Sequence, residues 1–352
     1  MFLVDRRTST RYALAPELWR GFPGRTELAE VTRFSKPNIL VTGATGAIGR
    51  AVCRDLVVNG YRVFGLAKDA DARARLEYAT IAVMGDIRHP ESWEAWIKQV
   101  DVLIHLAIPT DELGGGRKER EDAERDGHVL AGILDRLATL CRKNKKLMIH
   151  TFGALLYEPD AEGWVRETAA ISSGKGFGVR HRITYPVLER QRRKGLKAIS
   201  VNPSFVYGRG GWFESAVLLP MSHGQSTMIG DGTQTMHYIA ASDAAAGYRL
   251  AIEKGIVGED YLLADDRPST IGEFTRLVAK EMGAPPPTPV LEEDLIPTIG
   301  AWQVEAYTYC NKVDSTKARH HLGWAPRYRT IEEGIPVVVR AFKDSLQESH
   351  AT

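Results

Sequence analysis

Thr42-Gly43-Ala44-Thr45-Gly46-Ala47-Ile48-Gly49 places three glycines at intervals of three directly after the apolar run Ile39-Leu40-Val41. The run reads as a buried strand. The residues after Gly49 carry Val52, Leu56 and Val57 at helical spacing and close on Asn59-Gly60, a helix stop. In this strand–turn–helix context Gly43 permits the tight turn and Gly46 lets the backbone approach an anion such as a pyrophosphate. Gly49 lets the helix close on the strand, and the amides at the helix start face the anion. Further apolar runs follow at Arg62–Ala67, Ala79–Met84, Val100–Ala107, Lys146–Thr151 and Ala198–Asn202, with helical or polar stretches between them. Strands alternating with helices in this way predict an α/β fold with a doubly wound parallel sheet.

Composition narrows the function classes. With 352 residues the chain holds about two domains. Its 43% apolar and 26% charged content is that of an ordinary globular protein. Lys plus Arg is 46 and Asp plus Glu is 44, a net charge of +2. That gives no global field for nucleic acid or an anionic membrane, so neither is an expected partner. Cys53, Cys141 and Cys310 are too few and too dispersed for a disulfide framework or a zinc site, and no other metal motif is present. Together with the absence of a long apolar span, this points to a reduced, cytoplasmic protein. Residues 1–36 read as an N-terminal arm. Asp5, Arg6 and Arg7 interrupt any secretory signal, whereas Tyr12, Leu14, Leu18, Trp19 and Phe22 favour packing; an organellar transit peptide is the alternative.

The glycine spacing resembles the short-chain dehydrogenase/reductase superfamily, in its extended or atypical, epimerase-like branches. The resemblance spans roughly residues 37–340 and rests on further segments. Gly85-Asp86-Ile87 is similar to the segment after strand three that meets the adenine, and Leu106-Ala107 to the end of strand four under the cofactor ribose. Asn202-Pro203 through Tyr207-Gly208 resembles the segment after strand six, with Asn202 where an arginine is common. Ile229-Gly230-Asp231-Gly232, Asp243 and Leu322-Gly323-Trp324-Ala325-Pro326 resemble later motifs of the extended branch. The resemblance implies a Rossmann-type sheet with an interleaved smaller C-terminal substrate lobe. The nicotinamide-binding part would take 37–207 plus about 237–264, and the lobe 208–236 and 265–345. It implies a cofactor held by Gly43, Thr45, Gly46, Ala47, Ile48, Gly49, Asp86, Ile87, Leu106, Ala107 and Pro203, and by analogy a homodimer. Lys68 at the end of the second strand and Arg50 after the last glycine suit the 2′-phosphate of NADP; Asp69 leaves NAD open.

The catalytic set departs from the family. Its enzymes pair a Ser or Thr after strand five with a Tyr and a Lys four apart on the next helix. The Tyr supplies a proton, the Lys lowers its pKa, and the hydroxyl orients the oxygen. Aligning on Tyr157 puts Gly153 at the Ser/Thr position, with Thr151 the nearest hydroxyl, and no Tyr between Tyr157 and Gly195 is followed four residues later by Lys. In one register Phe177 takes the Tyr place and His181 the Lys place. In the other, His181 and Tyr185 take them. A His181–Tyr185 pair is the sharpest substitute; a solvated basic patch with Arg180 and Arg182 is the bland alternative. Pro186 predicts that the helix begins or kinks near Thr184.

Tyr207, Trp212 and Phe213 are expected substrate contacts, and with Trp302, Tyr307 and Tyr309 they suggest a large apolar or aromatic small molecule. The expected activity is an NADP-dependent oxidoreductase with a non-standard proton donor. A non-redox isomerase, cyclase or dehydratase on the same fold, and a nucleotide-sensing regulator, remain open alternatives.

Overall fold

A computed structural model of the chain describes residues 36–108, 120–172, 178–309 and 311–350. The N-terminal arm, Gly114–Gly116, Phe177, Cys310 and the side chain of Trp302 lie outside the described residues. The principal elements are β1 (Asn38–Thr42), α1 (Ala47–Val58), β2 (Arg62–Ala67), β3 (Ile81–Met84), β4 (Val102–His105), α2 (Arg120–Lys143), β5 (Leu147–His150), α3 (Gly178–Arg193), β6 (Ala198–Pro203), α4 (Ala241–Lys254), β7 (Asp260–Leu263), α5 (Ile271–Met282) and α6 (Ile331–His350).

The seven strands form one parallel sheet in the order β7-β6-β5-β4-β1-β2-β3, a Rossmann-type arrangement that reverses direction between β1 and β4. Alternation along β1 shows how the two faces fill. Leu40 points into the core with α2 and α3, while Ile39 and Val41 point into the core with α1 and α4. All three are fully buried, each worth about 1.5–3 kcal/mol as an upper bound. A third core, built on Tyr207, Phe213, Tyr238 and Phe274, fills the C-terminal lobe with α5 and α6. Small two-stranded pairs stitch this lobe to the chain: Phe205–Tyr207 with Tyr238–Ala240, and Thr227–Ile229 with Thr288–Val290. Helix α5 is held at its start by a reciprocal Thr270–Glu273 capping box and at its end by Gly283 in the left-handed region.

Two expectations change. The sheet gains β7, which the sequence reading did not include. Helix α3 does not begin near Thr184; it starts at Gly178 and continues through Pro186. Packing against α2 outweighs the lost hydrogen bond, because Gly127 lets Ile183 close to within 2.7 Å of where a Cβ would sit. Arg182, whose carbonyl loses its partner to Pro186, is exposed to water.

Asp243, in the first turn of α4, ties the C-terminal segment to the sheet. Its buried carboxylate accepts the backbone N–H of Arg327 and of Tyr328, each at 3.0 Å, and its carbonyl accepts the Trp324 indole N–H at 3.0 Å. Replacing Asp243 with Ala leaves two amides without acceptors, so urea unfolding of Asp243→Ala is expected to show a loss of about 2–4 kcal/mol. A loss below about 0.5 kcal/mol would show that this clasp is not structural.

Candidate functional site

The glycine turn is built by close approach. A Cβ on Gly49 would lie 2.0 Å from the Gly43 carbonyl oxygen, and one on Gly43 would lie 2.8 Å from the Ala107 nitrogen. Gly43 also has φ of +71°. Gly46 differs, since its Cβ would meet only the Gly43 oxygen at 3.4 Å, and it is exposed. The first amides of α1 at Ala47, Ile48 and Gly49 have no carbonyl four residues back within the helix, and Gly46 offers no side-chain cap. This open, uncapped helix start fits a phosphate group.

A cavity of about 460 Å³ extends from that turn across the carboxyl ends of β4, β5 and β6. Gly43, Gly46, Ala47, Ile48 and Gly49 line one end, with Leu106, Ala107 and Pro203 beside them. Thr151, Phe152, Gly153, His181 and Thr184 form the middle, and Phe205, Trp212 and Tyr307 the far end. The far end is aromatic: the Phe205 and Trp212 rings meet edge to face at 5.0 Å, and Trp212 is fixed by its indole N–H donating to the Val206 carbonyl at 2.8 Å.

The remaining expected cofactor residues are dispersed. Thr45 sits on the turn but not on the cavity wall, and Ile87 is buried in the core beneath β3. Asp86 is held by Arg88 at 2.5 Å, which keeps its carboxyl below the usual range. Arg50 pairs with Glu77 at 2.9 Å, alongside Arg54, and faces a separate hollow. Asp69 caps a short helix by accepting the Ala72 N–H at 2.7 Å, whereas Lys68 is exposed at the end of β2.

The expected catalytic pair separates. His181 is on the cavity wall with its ring edge to face against Phe152, and its buried Nδ1 has no hydrogen-bond partner. It is not part of a solvated basic patch. Tyr185 instead donates its hydroxyl to Asp260 at 3.0 Å. Asp260, at the start of β7, also accepts from the Tyr157 hydroxyl at 2.7 Å and from Arg192 at 2.8 Å. Tyr185 therefore belongs to a buried polar network away from the cavity, because the seventh strand brings a carboxylate beneath it. Its hydroxyl is pushed upward in pKa by burial and by that carboxylate. Tyr207 and Phe213, expected as substrate contacts, lie in the apolar core of the lobe and not on the cavity wall. Trp212 alone of the three faces the cavity.

Gly153, where the family places a hydroxyl, has φ of +101°, a conformation that a Ser or Thr side chain rarely adopts. A Cβ there would point toward the His181 ring, 4.0 Å from its Cε1. Thr151 lines the cavity and its hydroxyl lies 2.5 Å from that of Tyr248 on α4. Asn202 braces the same loop, its side-chain oxygen accepting the Phe152 N–H at 3.1 Å.

Sequence reasoning missed His105 and His150. They end β4 and β5, are paired in register, and stack at 5.1 Å. His105 Nδ1 lies 2.8 Å from the Thr42 hydroxyl, and the buried Nδ1 of His150 has no partner. The signal was available: two apolar runs, Val102-Leu103-Ile104-His105 and Leu147-Met148-Ile149-His150, each end on histidine. Among the described residues no group of three or more His, Cys, Asp or Glu is arranged to hold a metal. Burial lowers His105 and His181 to about 4 and takes His150 well below its ordinary value, so all three rings are neutral.

The NAD dependent epimerase/dehydratase family model matches residues 39–264. Sterol demethylase protein B of Methylococcus capsulatus is 26% identical over 257 residues, 70% of this chain and 75% of that protein. A 2-alkyl-3-oxoalkanoate reductase of Stenotrophomonas maltophilia is 23% identical over 277 residues, 70% and 76% of the two chains. The crystal structure of UDP-glucose 4-epimerase from Thermotoga maritima with UDP-glucose superposes with a TM-score of 0.73 at 23% identity, covering 88% of this chain and 99% of that one.

The neutral histidines have a consequence for stability. Their folded pKa values lie below the unfolded value near 6.5, and His237, buried against Val313, is likewise lowered to about 4 by burial. Between those limits the unfolded chain binds more protons. Stability is therefore present above about pH 6.5 and is lost as pH falls toward 4. Thermal unfolding followed from pH 8 to pH 4 is expected to show Tm falling below about pH 6.5. A Tm unchanged down to pH 4.5 would mean that these rings are charged in the folded protein.

Proposed function

The chain belongs to the NAD-dependent epimerase/dehydratase family and is an NAD(P)-dependent oxidoreductase, and we propose that it is an NADP-dependent reductase or dehydrogenase acting on a bulky apolar or aromatic small molecule. The observation that carries this reading is one continuous cavity that joins the glycine turn to His181 and to the aromatic wall of Phe205, Trp212 and Tyr307. Its size suits a cofactor end together with a hydrophobic ligand. Two relatives whose names specify a sterol and an alkyl oxoalkanoate support an apolar substrate.

In this reading the α1 amides hold the pyrophosphate and Leu106, Ala107 and Pro203 flank the nicotinamide half. When bound, the nicotinamide gives or takes a hydride at a substrate carbon bearing oxygen. His181 replaces the absent tyrosine: a ring nitrogen takes the hydroxyl proton during oxidation and returns it during reduction. The Phe152 ring, edge to face against the imidazole at 5.8 Å, steadies it. Thr151, backed by Tyr248, offers the substrate oxygen a second hydrogen-bond partner. Phe152 and Trp212 exclude water around it.

The residues around the end of β2 bear on cofactor preference. Asp69 is spent on its helix cap, which weakens the case for a ribose-hydroxyl contact to NAD. Lys68 lies exposed at the end of β2, the position where a base meets a 2′-phosphate. Arg50, held by Glu77, is a weaker candidate for the 2′-phosphate than the sequence suggests.

Consumption of NADPH in the presence of apolar ketones tests the proposal. Wild type is expected to reduce at least one such ketone. His181→Ala is expected to lower kcat by about 10²-fold or more. Tyr185→Phe is expected to keep turnover near wild type while costing about 1 kcal/mol of stability. Lys68→Ala is expected to raise KM for NADPH and leave KM for NADH unchanged. Because burial lowers His181 to about 4, its protonated form grows as pH falls from 8 to 6, so reduction should quicken over that range and oxidation should not. Full activity in His181→Ala would remove the proton-transfer assignment, and product formed without net NADPH consumption would replace the oxidoreductase by a non-redox enzyme.

A further inference from the structure

Two hollows lie on either side of the segment from Gly208 to Gly211. Gly211 lines the cavity described above, whereas Gly208 and Arg209 line a second hollow of about 390 Å³ behind α1, shared with Arg50 and Arg54. Ala47, the first residue of α1, borders both. A Cβ on Gly211 would lie 3.0 Å from the Ala47 Cβ, and one on Gly210 would lie 3.7 Å from the Ala47 Cα. The backbone carrying Arg209 therefore crosses the helix start where the anion site opens. Gly210 and Gly211 both have positive φ, +81° and +61°. The Gly210 N–H donates to the Glu214 carboxylate at 2.6 Å, which fixes the loop just beyond Arg209.

The charges nearby are already committed. Arg50 and Arg54 both pair with Glu77 at 2.9 Å, and Arg180, on the cavity wall, pairs with Asp126 at 3.5 Å. Arg209 is exposed and, among the described residues, makes no ion pair or side-chain hydrogen bond. The start of α1 supplies only about half a positive charge, whereas a pyrophosphate carries a negative charge on each phosphate. The glycine turn has no side chain to make up the difference.

We propose that Arg209 is a cofactor-binding residue that closes over the pyrophosphate from the side opposite the α1 amides. The inference rests on the cofactor placement proposed above. The guanidinium is long enough to pass Ala47 from the adjoining loop, and its planar fork matches two phosphate oxygens. The group recognised is the diphosphate common to both nicotinamide cofactors, not the 2′-phosphate that distinguishes them.

Titration calorimetry of the full chain with NADPH, NADH and ADP-ribose tests this without any substrate. Arg209→Ala is expected to weaken all three by a similar factor, about tenfold, and to flatten the salt dependence of binding. Arg209→Lys is expected to recover part of the loss. Because Arg209 is exposed, thermal unfolding of both variants should match wild type, which separates lost binding from lost fold. Unchanged dissociation constants would overturn the proposal. So would a loss confined to NADPH, which would move Arg209 to the 2′-phosphate. A wild-type protein that binds none of the three would overturn the cofactor placement itself, and this proposal with it.

Discussion

The structure depends on a contact in which nothing larger than hydrogen fits. Gly49 lies so close to the Gly43 carbonyl that a methyl group there would sit 2.0 Å from the oxygen. That approach draws α1 down onto the end of β1 and aims its uncapped amides into the cavity. It also sets Thr42 beside His105 and brings the end of β4 against the turn. A Cβ at either glycine would have to push α1 or β4 aside, and the uncapped amides and the cavity mouth would move together. Placing the turn at the reversal between β1 and β4 leaves a crevice at the carboxyl ends of the strands, which α/β sheets use for ligands.

Around this fixed point, polar groups far apart in sequence tie the chain together. Asp243 clasps Arg327 and Tyr328, and Asp260 gathers Tyr157, Tyr185 and Arg192 under the sheet edge. Both carboxylates are buried, and their cost is offset only because each meets several donors.

Local features were readable from the chain. The glycine turn, helix α1 and the first six strands of the sheet are encoded by neighbours in sequence: three glycines at intervals of three, apolar runs, and a helix stop at Asn59-Gly60. What escaped reading is long-range. Tyr185 looked like a partner for His181 because four residues separate them. Its hydroxyl was drawn away by Asp260, 75 residues later, on a strand that was not anticipated. Tyr207 and Phe213 looked like substrate contacts because they follow strand six, yet aromatic size serves a lobe core equally well. Pro186 suggested a break that packing against α2 overrode. His105 and His150 were hidden inside apolar runs, where a polar residue closing a buried strand was the clue.

Gly153, where the family places a hydroxyl, has a left-handed backbone and adjoins the His181 ring, and in the proposed reading a neutral imidazole there takes over the family's tyrosine chemistry. A crystal structure of the protein with NADP and an apolar alcohol bound tests this most directly. The account predicts a His181 ring nitrogen within about 3.2 Å of the substrate oxygen, with Tyr185 still bonded to Asp260. A substrate oxygen held by Tyr185, or lying beyond reach of His181, would contradict it.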